Sequence, residues 1–413
     1  MTITRRNFLK ATAAGAALIS SQAQAQTRCG GVKQLLTQND FSYLGNFKLP
    51  DTSGGLSIGH SFGLTYRYVG GVLHFFSTTS QGSGSLGEVY EMIYPGYAAL
   101  ASAPTATVAQ HWGAVHGNKA VYDSVMGGTP YMYGLHWDLI GSRLYWSFGN
   151  DYNANVPDNA CFGVSTLDDT KKVATAVAAY RMGLCKAYQF GLTPIPSWFA
   201  AAYTGGKRLG IGFGGYASAA NCGSVSLGPT IAAIDPPTGA HLSEIPSKTV
   251  LCNYPFPNQT CHRAIGYTDN ISHFNPGPTF GYWQWTDIIY QSGVWIDMAT
   301  KHGFLFMPVI GLGTIVYQDS DICADNIKHQ MMIINPADLA LVAQGQKNTY
   351  DVIPSSWWDV SWPGYTYPTG SRCGGQYKTC QGACFDPTNN RLYALIPETD
   401  GYKPSIAVFQ VAS

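Results

Sequence analysis

A short hairpin pattern recurs along this chain and constrains its fold more than any other feature. The stretch Gly134-Leu135-His136-Trp137-Asp138-Leu139-Ile140-Gly141-Ser142-Arg143-Leu144-Tyr145 aligns without a gap on the stretch from Gly382 to Tyr393. The glycine, the aspartate and the Arg-Leu-Tyr triplet coincide in the two copies. The same frame fits Gly63 to His74 and Gly293 to Phe304, and more loosely Phe199 to Leu209, which makes five copies. Each begins with a short apolar run, turns through polar or Gly-rich residues and returns in a second apolar run, as a β-hairpin does. A third strand follows each hairpin, at residues 88–94, 162–167, 230–234, 330–334 and 406–411.

One multi-stranded unit repeated five times points to radial repetition. The pattern predicts an all-β chain folded as a five-bladed β-propeller, with a β-sandwich carrying one recurring hairpin as the alternative. The last copy shows only three strands before Ser413, whereas residues 41–50 form a spare strand near the start. Pairing that N-terminal strand into the C-terminal blade would close the ring and hide a free edge. Composition agrees: 47 Gly and 23 Pro leave little room for long helices, and 45% hydrophobic residues supply a core. Only 12% of residues are charged, against about 25% in a typical domain, and the pI near 7.1 excludes a phosphate-binding surface and with it a nucleic-acid partner.

The N-terminus reads Thr4-Arg5-Arg6-Asn7-Phe8-Leu9-Lys10, then an apolar run from Ala11 to Ile19, then Ala23-Gln24-Ala25. That is the charged, apolar and small-residue order of a signal peptide, too short in its apolar part to span a bilayer. The twin arginines resemble the twin-arginine export motif, which implies a bacterial protein sent folded to the periplasm or beyond. Cleavage after Ala25 leaves residues 26–413 as a single propeller domain. It removes Arg5, Arg6 and Lys10 from the 24 basic side chains, leaving 21 against 24 acidic ones and a net charge of −3. All ten cysteines, Cys29 to Cys384, lie in that part; an even number in an oxidising compartment predicts disulfides, with Cys252 and Cys261 as one short-range possibility.

In an up-and-down blade the turn between the first two strands lies on one face, and the loops that enter the first strand lie on the other. Asp138, Asp297 and Asp386 fall at the end of the first strand and read as turn-forming aspartates. The opposite face collects the long insertions, where binding residues concentrate. Residues 253–290 bring His262, Arg263, His273, Trp283 and Asp287; residues 350–381 bring Trp357, Trp358 and Arg372; a shorter loop before the second copy brings His116, Asp123, Tyr131 and Tyr133. Flat aromatics among scattered polar groups suit an oligosaccharide or polysaccharide ligand. Asp319-Ser320-Asp321 has the oxygen-rich look of a structural calcium loop; no other metal site and no cofactor motif is present.

This architecture resembles the five-bladed carbohydrate-active propellers, including arabinanases, xylosidases and levansucrases. In those hydrolases carboxylates stand where the innermost strands begin. The equivalent places here hold His60 and Ser61, Tyr131 and Tyr133, Ser197 and Trp198, Gln291 and Ser292, and Gln381. The wealth of Tyr and His on this face also resembles the propeller polysaccharide lyases. That resemblance implies elimination from a uronate, with Tyr133 or His116 as base or acid, His262 or His273 as partner, and Arg263 or Arg372 neutralising the carboxylate. Hydrolysis by loop carboxylates such as Asp123 and Asp287 is the alternative, and a non-enzymatic sugar-binding or cell-surface propeller stands beside both.

Overall fold

The computed structural model describes residues 33–50, 61–79, 87–117, 131–138, 140–149, 161–184, 186–214, 230–235, 244–245, 247–253, 292–318, 321–364, 380–400 and 403–413. Five antiparallel sheets of up-and-down strands surround one axis. Blade 1 runs from the axis outward through Thr65–Val69, Val72–Thr78, Val89–Ile93 and Thr107–Gly113. Blade 2 follows with Tyr131–Asp138, Arg143–Gly149, Cys161–Asp168 and Val173–Arg181, and blade 3 with Gly191–Pro194, Leu209–Gly212, Ile231–Ile234 and Lys248–Cys252. Blade 4 comprises Ser292–Asp297, Lys301–Met307, Asp321–Ile334 and Ser356–Val360, with Val309–Gln318 pairing the early part of its long third strand.

Blade 5 is closed as the sequence predicts. Its strands are Gly382–Asp386, Arg391–Asp400 and Lys403–Val411, and the N-terminal strand Phe41–Lys48 pairs antiparallel with the last of these, Phe47 opposite Ile406. The approach to that strand fastens blade 4 as well. Gln34–Leu35 pairs parallel with Lys301–His302, Asp40 accepts a hydrogen bond from Lys301 Nζ at 2.6 Å, and Leu36 is fully buried. One N-terminal segment therefore ties two neighbouring blades.

The apolar residues that alternate along these strands meet between blades, so the core is divided into five wedges. Between blades 1 and 2, for example, Phe76 and Trp112 meet Trp137 and Trp146. That wedge also holds the main buried charge. Arg67 makes a bidentate pair with Glu91 at 2.8 Å through both Nε and Nη2, and a second with Asp169 of blade 2 at 2.7 and 3.0 Å. Trp112 Nε1 and His74 Nδ1 also bond the Glu91 carboxylate, at 2.9 and 2.8 Å. The guanidinium lies over the rings of Trp137, Phe76 and Trp112, 5.0 to 5.7 Å from their centroids. Burial of a charge is tolerated when it is paired and hydrogen-bonded in this way.

Three expectations need correction. The third hairpin is misplaced by the sequence frame: Ser197–Tyr203 is a helix, inserted between the inner strand Gly191–Pro194 and the second strand Leu209–Gly212. Residues 350–381 are not one long loop, since Ser356–Val360 is the outer strand of blade 4. The predicted disulfides are absent among the described residues, where Cys161, Cys252, Cys380 and Cys384 are buried free thiols. Burial pushes all four thiols up, Cys380 to about 12, so they serve as small apolar side chains. Cys261, the suggested partner of Cys252, lies outside the described residues.

Candidate functional site

The axial channel has three levels, each built from equivalent positions of the five inner strands. At its waist stand Gly63, Gly134, Gly191, Gly293 and Gly382, one per blade. They are glycine because the strands touch there. A Cβ on Gly134 would come within 3.0 Å of the Gly191 backbone, and one on Gly191 within 2.2 Å of the Phe213 ring. The void left at this level is about 10 Å³, at the lower limit for a single water molecule. The channel is thus closed at its middle.

Above the waist, where the inner strands begin, Tyr133 lies between Phe62 and Phe190, with ring centroids 5.3 and 4.8 Å away. Ser292 lies beside them and donates through its hydroxyl to the Cys380 carbonyl at 3.0 Å. Gln381 precedes the waist glycine of blade 5 and its carbonyl accepts from Gly63 N at 2.8 Å. The described floor of the upper face is therefore aromatic, hydroxylic and amide, without a charge. With the inner strand of blade 3 at Gly191, the residue at its start is Phe190; Ser197 and Trp198 belong to the helix on the opposite face.

Below the waist the channel widens into a vestibule of about 320 Å³. Leu64, Leu135, Leu192, Val294 and Ala383, each following a waist glycine, form its ceiling. Asp138 and Asp297 stand at its rim. Asp138 behaves as a turn aspartate: Oδ1 accepts from Ile140 N at 2.9 Å while Oδ2 meets Arg208 and Tyr145. Asp386 does the same, accepting from Thr388 N at 2.9 Å and from the Tyr68 hydroxyl at 2.7 Å; burial and that bond raise the Tyr68 phenol to about 12. Asp297 instead bridges elements, bound to Lys33 Nζ at 2.6 Å and Trp198 Nε1 at 3.1 Å.

The sequence-derived candidates separate in space. Tyr133 is at the floor of the upper face. His116 is buried against Trp146, in the wedge between blades 1 and 2. Trp357 and Trp358 lie on the outermost strand of blade 4, Trp358 against Phe41 at 5.4 Å and Trp357 40% exposed. Tyr131 opens the inner strand of blade 2. Asp123, His262, Arg263, His273, Trp283, Asp287 and Arg372 lie outside the described residues, as do Asp319 and Ser320 of the calcium-like sequence. Among the described residues no three His, Cys, Asp or Glu side chains gather as metal ligands. His136 is the group that sequence reasoning missed: it lines the lower vestibule, and burial lowers its pKa to about 4, an effect that Asp138 partly offsets.

Comparison with known proteins identifies the leader. Residues 2–20 match the twin-arginine translocation pathway signal sequence, so the chain is exported by that route to the periplasm or the extracellular space. Among the described residues no helix is long and apolar enough to cross a membrane. No curated protein matches the sequence. Among solved structures, a GH43 endo-arabinanase from Bacillus licheniformis is similar at 11% identity and a TM-score of 0.40, over 88% of this chain and 96% of that one. The Bacillus subtilis arabinanase Arb43A shows 10% identity and a TM-score of 0.39, over 89% and 96%. A GH43_1 enzyme from Xanthomonas citri complexed with xylotriose shows 10% and 0.38, over 93% and 91%. Likeness at this level carries no chemistry across, and function has to be read from this chain's own residues.

Proposed function

We propose that the protein is an exported glycoside hydrolase acting on a neutral polysaccharide at the upper face of the propeller. The observation that carries this reading is the closed, uncharged floor around Tyr133, Phe62, Phe190 and Ser292. A sugar ring presents an apolar face that stacks on aromatics and a rim of hydroxyls that bond to polar side chains. Elimination would require a uronate, whose carboxylate needs a cation facing it; the floor presents none among the described residues, which favours an uncharged sugar and hence hydrolysis. Asp123 and Asp287 belong to the insertions assigned to this face and are the carboxylates we assign as the acid and base pair. Tyr133 would position the sugar at the closed end of the channel.

Incubating the mature protein with arabinan, xylan and polygalacturonate, and following reducing ends and unsaturated products separately, tests the reading. Reducing ends without unsaturation from a neutral polymer, lost in Asp123→Asn or Asp287→Asn, is the expected result. Unsaturated products from polygalacturonate would replace hydrolysis by elimination, and silence on the whole panel would favour a binding protein.

A further inference from the structure

The lower vestibule is closed from the upper face by the glycine waist and differs from it in character. We propose that it is a second binding site, for a small neutral phenol. Its volume of about 320 Å³ falls at the small end of ligand pockets, equivalent to about ten water molecules in the liquid. The ceiling of Leu64, Leu135, Leu192 and Val294 and the flanking Trp137 and Phe385 make most of its surface apolar and aromatic. A glycan would leave most of its hydroxyls without partners against such a mainly apolar lining, whereas a benzene ring loses nothing.

Charge at the rim restricts the occupant further. Asp138 is paired with Arg208 and Asp297 with Lys33, so the rim carries no unpaired charge to hold either a cation or an anion. Besides the Tyr66 hydroxyl and the indole N–H groups of Trp137 and Trp295, the lining holds the imidazole of His136. Its ring is enclosed by the protein yet half-buried in surface terms, because the surface it exposes faces the vestibule. It stacks on Tyr145, with centroids 6.4 Å apart and planes 15° apart, and neither ring nitrogen makes a hydrogen bond. A neutral imidazole has one donor and one acceptor nitrogen, and a phenolic hydroxyl, itself donor and acceptor, can bond to either. Thr65 and Thr193, which also line the wall, already accept from Trp137 N and Trp295 N through their hydroxyls, at 2.9 and 3.1 Å. The imidazole of His136 is the group assigned to the ligand hydroxyl, and replacing it separates its part from that of Tyr66 and the threonines.

The test measures binding of 4-methylphenol, toluene and 4-methylbenzoate to the mature protein by ligand-observed NMR titration at neutral pH. The expected result is saturable binding of 4-methylphenol about fivefold to tenfold tighter than toluene, the worth of one net hydrogen bond, and no binding of the benzoate. His136→Phe keeps the aromatic wall and should bring 4-methylphenol down to the affinity of toluene. Ala383→Leu, which adds bulk to the ceiling, should weaken both. Intermolecular NOEs from the ring protons to the methyls of Leu135 and Leu192 locate the ligand in the wild-type protein, independently of how the variants fold. No saturable binding, NOEs only to methyls outside the vestibule, or a preference for 4-methylphenol that survives in His136→Phe would overturn the proposal.

Discussion

A Cβ added to Gly382 would lie 2.7 Å from both the carbonyl carbon of Gly63 and the nitrogen of Leu64, so blades 5 and 1 meet backbone to backbone where the ring closes. Neither neighbour is a flexible side chain that could swing aside. Gly382→Ala is expected to destabilise the protein by about 1–3 kcal/mol or more, through overpacking against main chain. Gly70, in the hairpin turn of blade 1, has a φ of +57° and nothing within 4 Å of its Cβ position. Asparagine tolerates that conformation, and Gly70→Asn should stay within about 0.5 kcal/mol of wild type. Denaturant unfolding of the two variants measures the contrast; equal effects would refute the closed waist.

The Arg67 cluster gives a second contrast. The Arg67 and Glu91 side chains are 8% and 2% exposed, while Asp169, which bonds the same guanidinium, is 57% exposed. Removing one member of a buried pair strands the other charge, so Arg67→Met should cost about 3–5 kcal/mol. Asp169→Ala removes a solvated partner and should cost about 1 kcal/mol or less. A double-mutant cycle between positions 67 and 91 should show strong coupling, and near-additivity there would remove the cluster from the blade 1–blade 2 interface.

How much of this was legible in the sequence depended on whether a residue's role was local. The waist glycines and the hairpins stand out in four blades, and the recurring aspartates in three, because these blades repeat the same close approach and similar turns. Blade 3 escaped because its inner strand is only Gly191–Pro194, and the apolar Phe199 and Ala200 of the inserted helix mimic a strand. Trp357 and Trp358 suggested a binding loop, yet they alternate along a sheet edge, the one packing inward and the other exposed. Arg67 and Asp169, 102 residues apart, carry no mutual signal. The lower vestibule was equally hidden, since its walls come from five strands far apart in the sequence.

His136 makes stability depend on pH. Burial holds its pKa at about 4, against 6.5 for an ordinary histidine. Between those values the unfolded chain binds the proton and the folded protein does not, so stability rises with pH across the window and falls on acidification. The loss is on the order of 3 kcal/mol once pH reaches about 4. His302, also lowered by burial, adds in the same direction. Urea titrations at about pH 7 and about pH 4.5 should show His136→Phe losing less stability than wild type. An identical loss in both would place the pH dependence elsewhere.

The N-terminal strand closes the ring by joining the two ends of the chain in one blade. Phe47 is its buried anchor, fully enclosed, with its ring 5.3 Å from Phe75 of blade 1 and 5.3 Å from Tyr94. Tyr43, on the same strand, is 41% exposed, meets Phe409 edge-on at 5.5 Å and donates its hydroxyl proton to Asn46 Oδ1. Phe47→Ala is expected to cost about 3–5 kcal/mol, and Tyr43→Ala a small fraction of that. Since the strand covers the edge of Lys403–Val411, loosening it should also expose a pairing edge and lower solubility on heating. Thermal unfolding with light scattering reads both effects together. A Phe47→Ala protein that melts like wild type and stays clear would mean that the ring holds without its N-terminal strand.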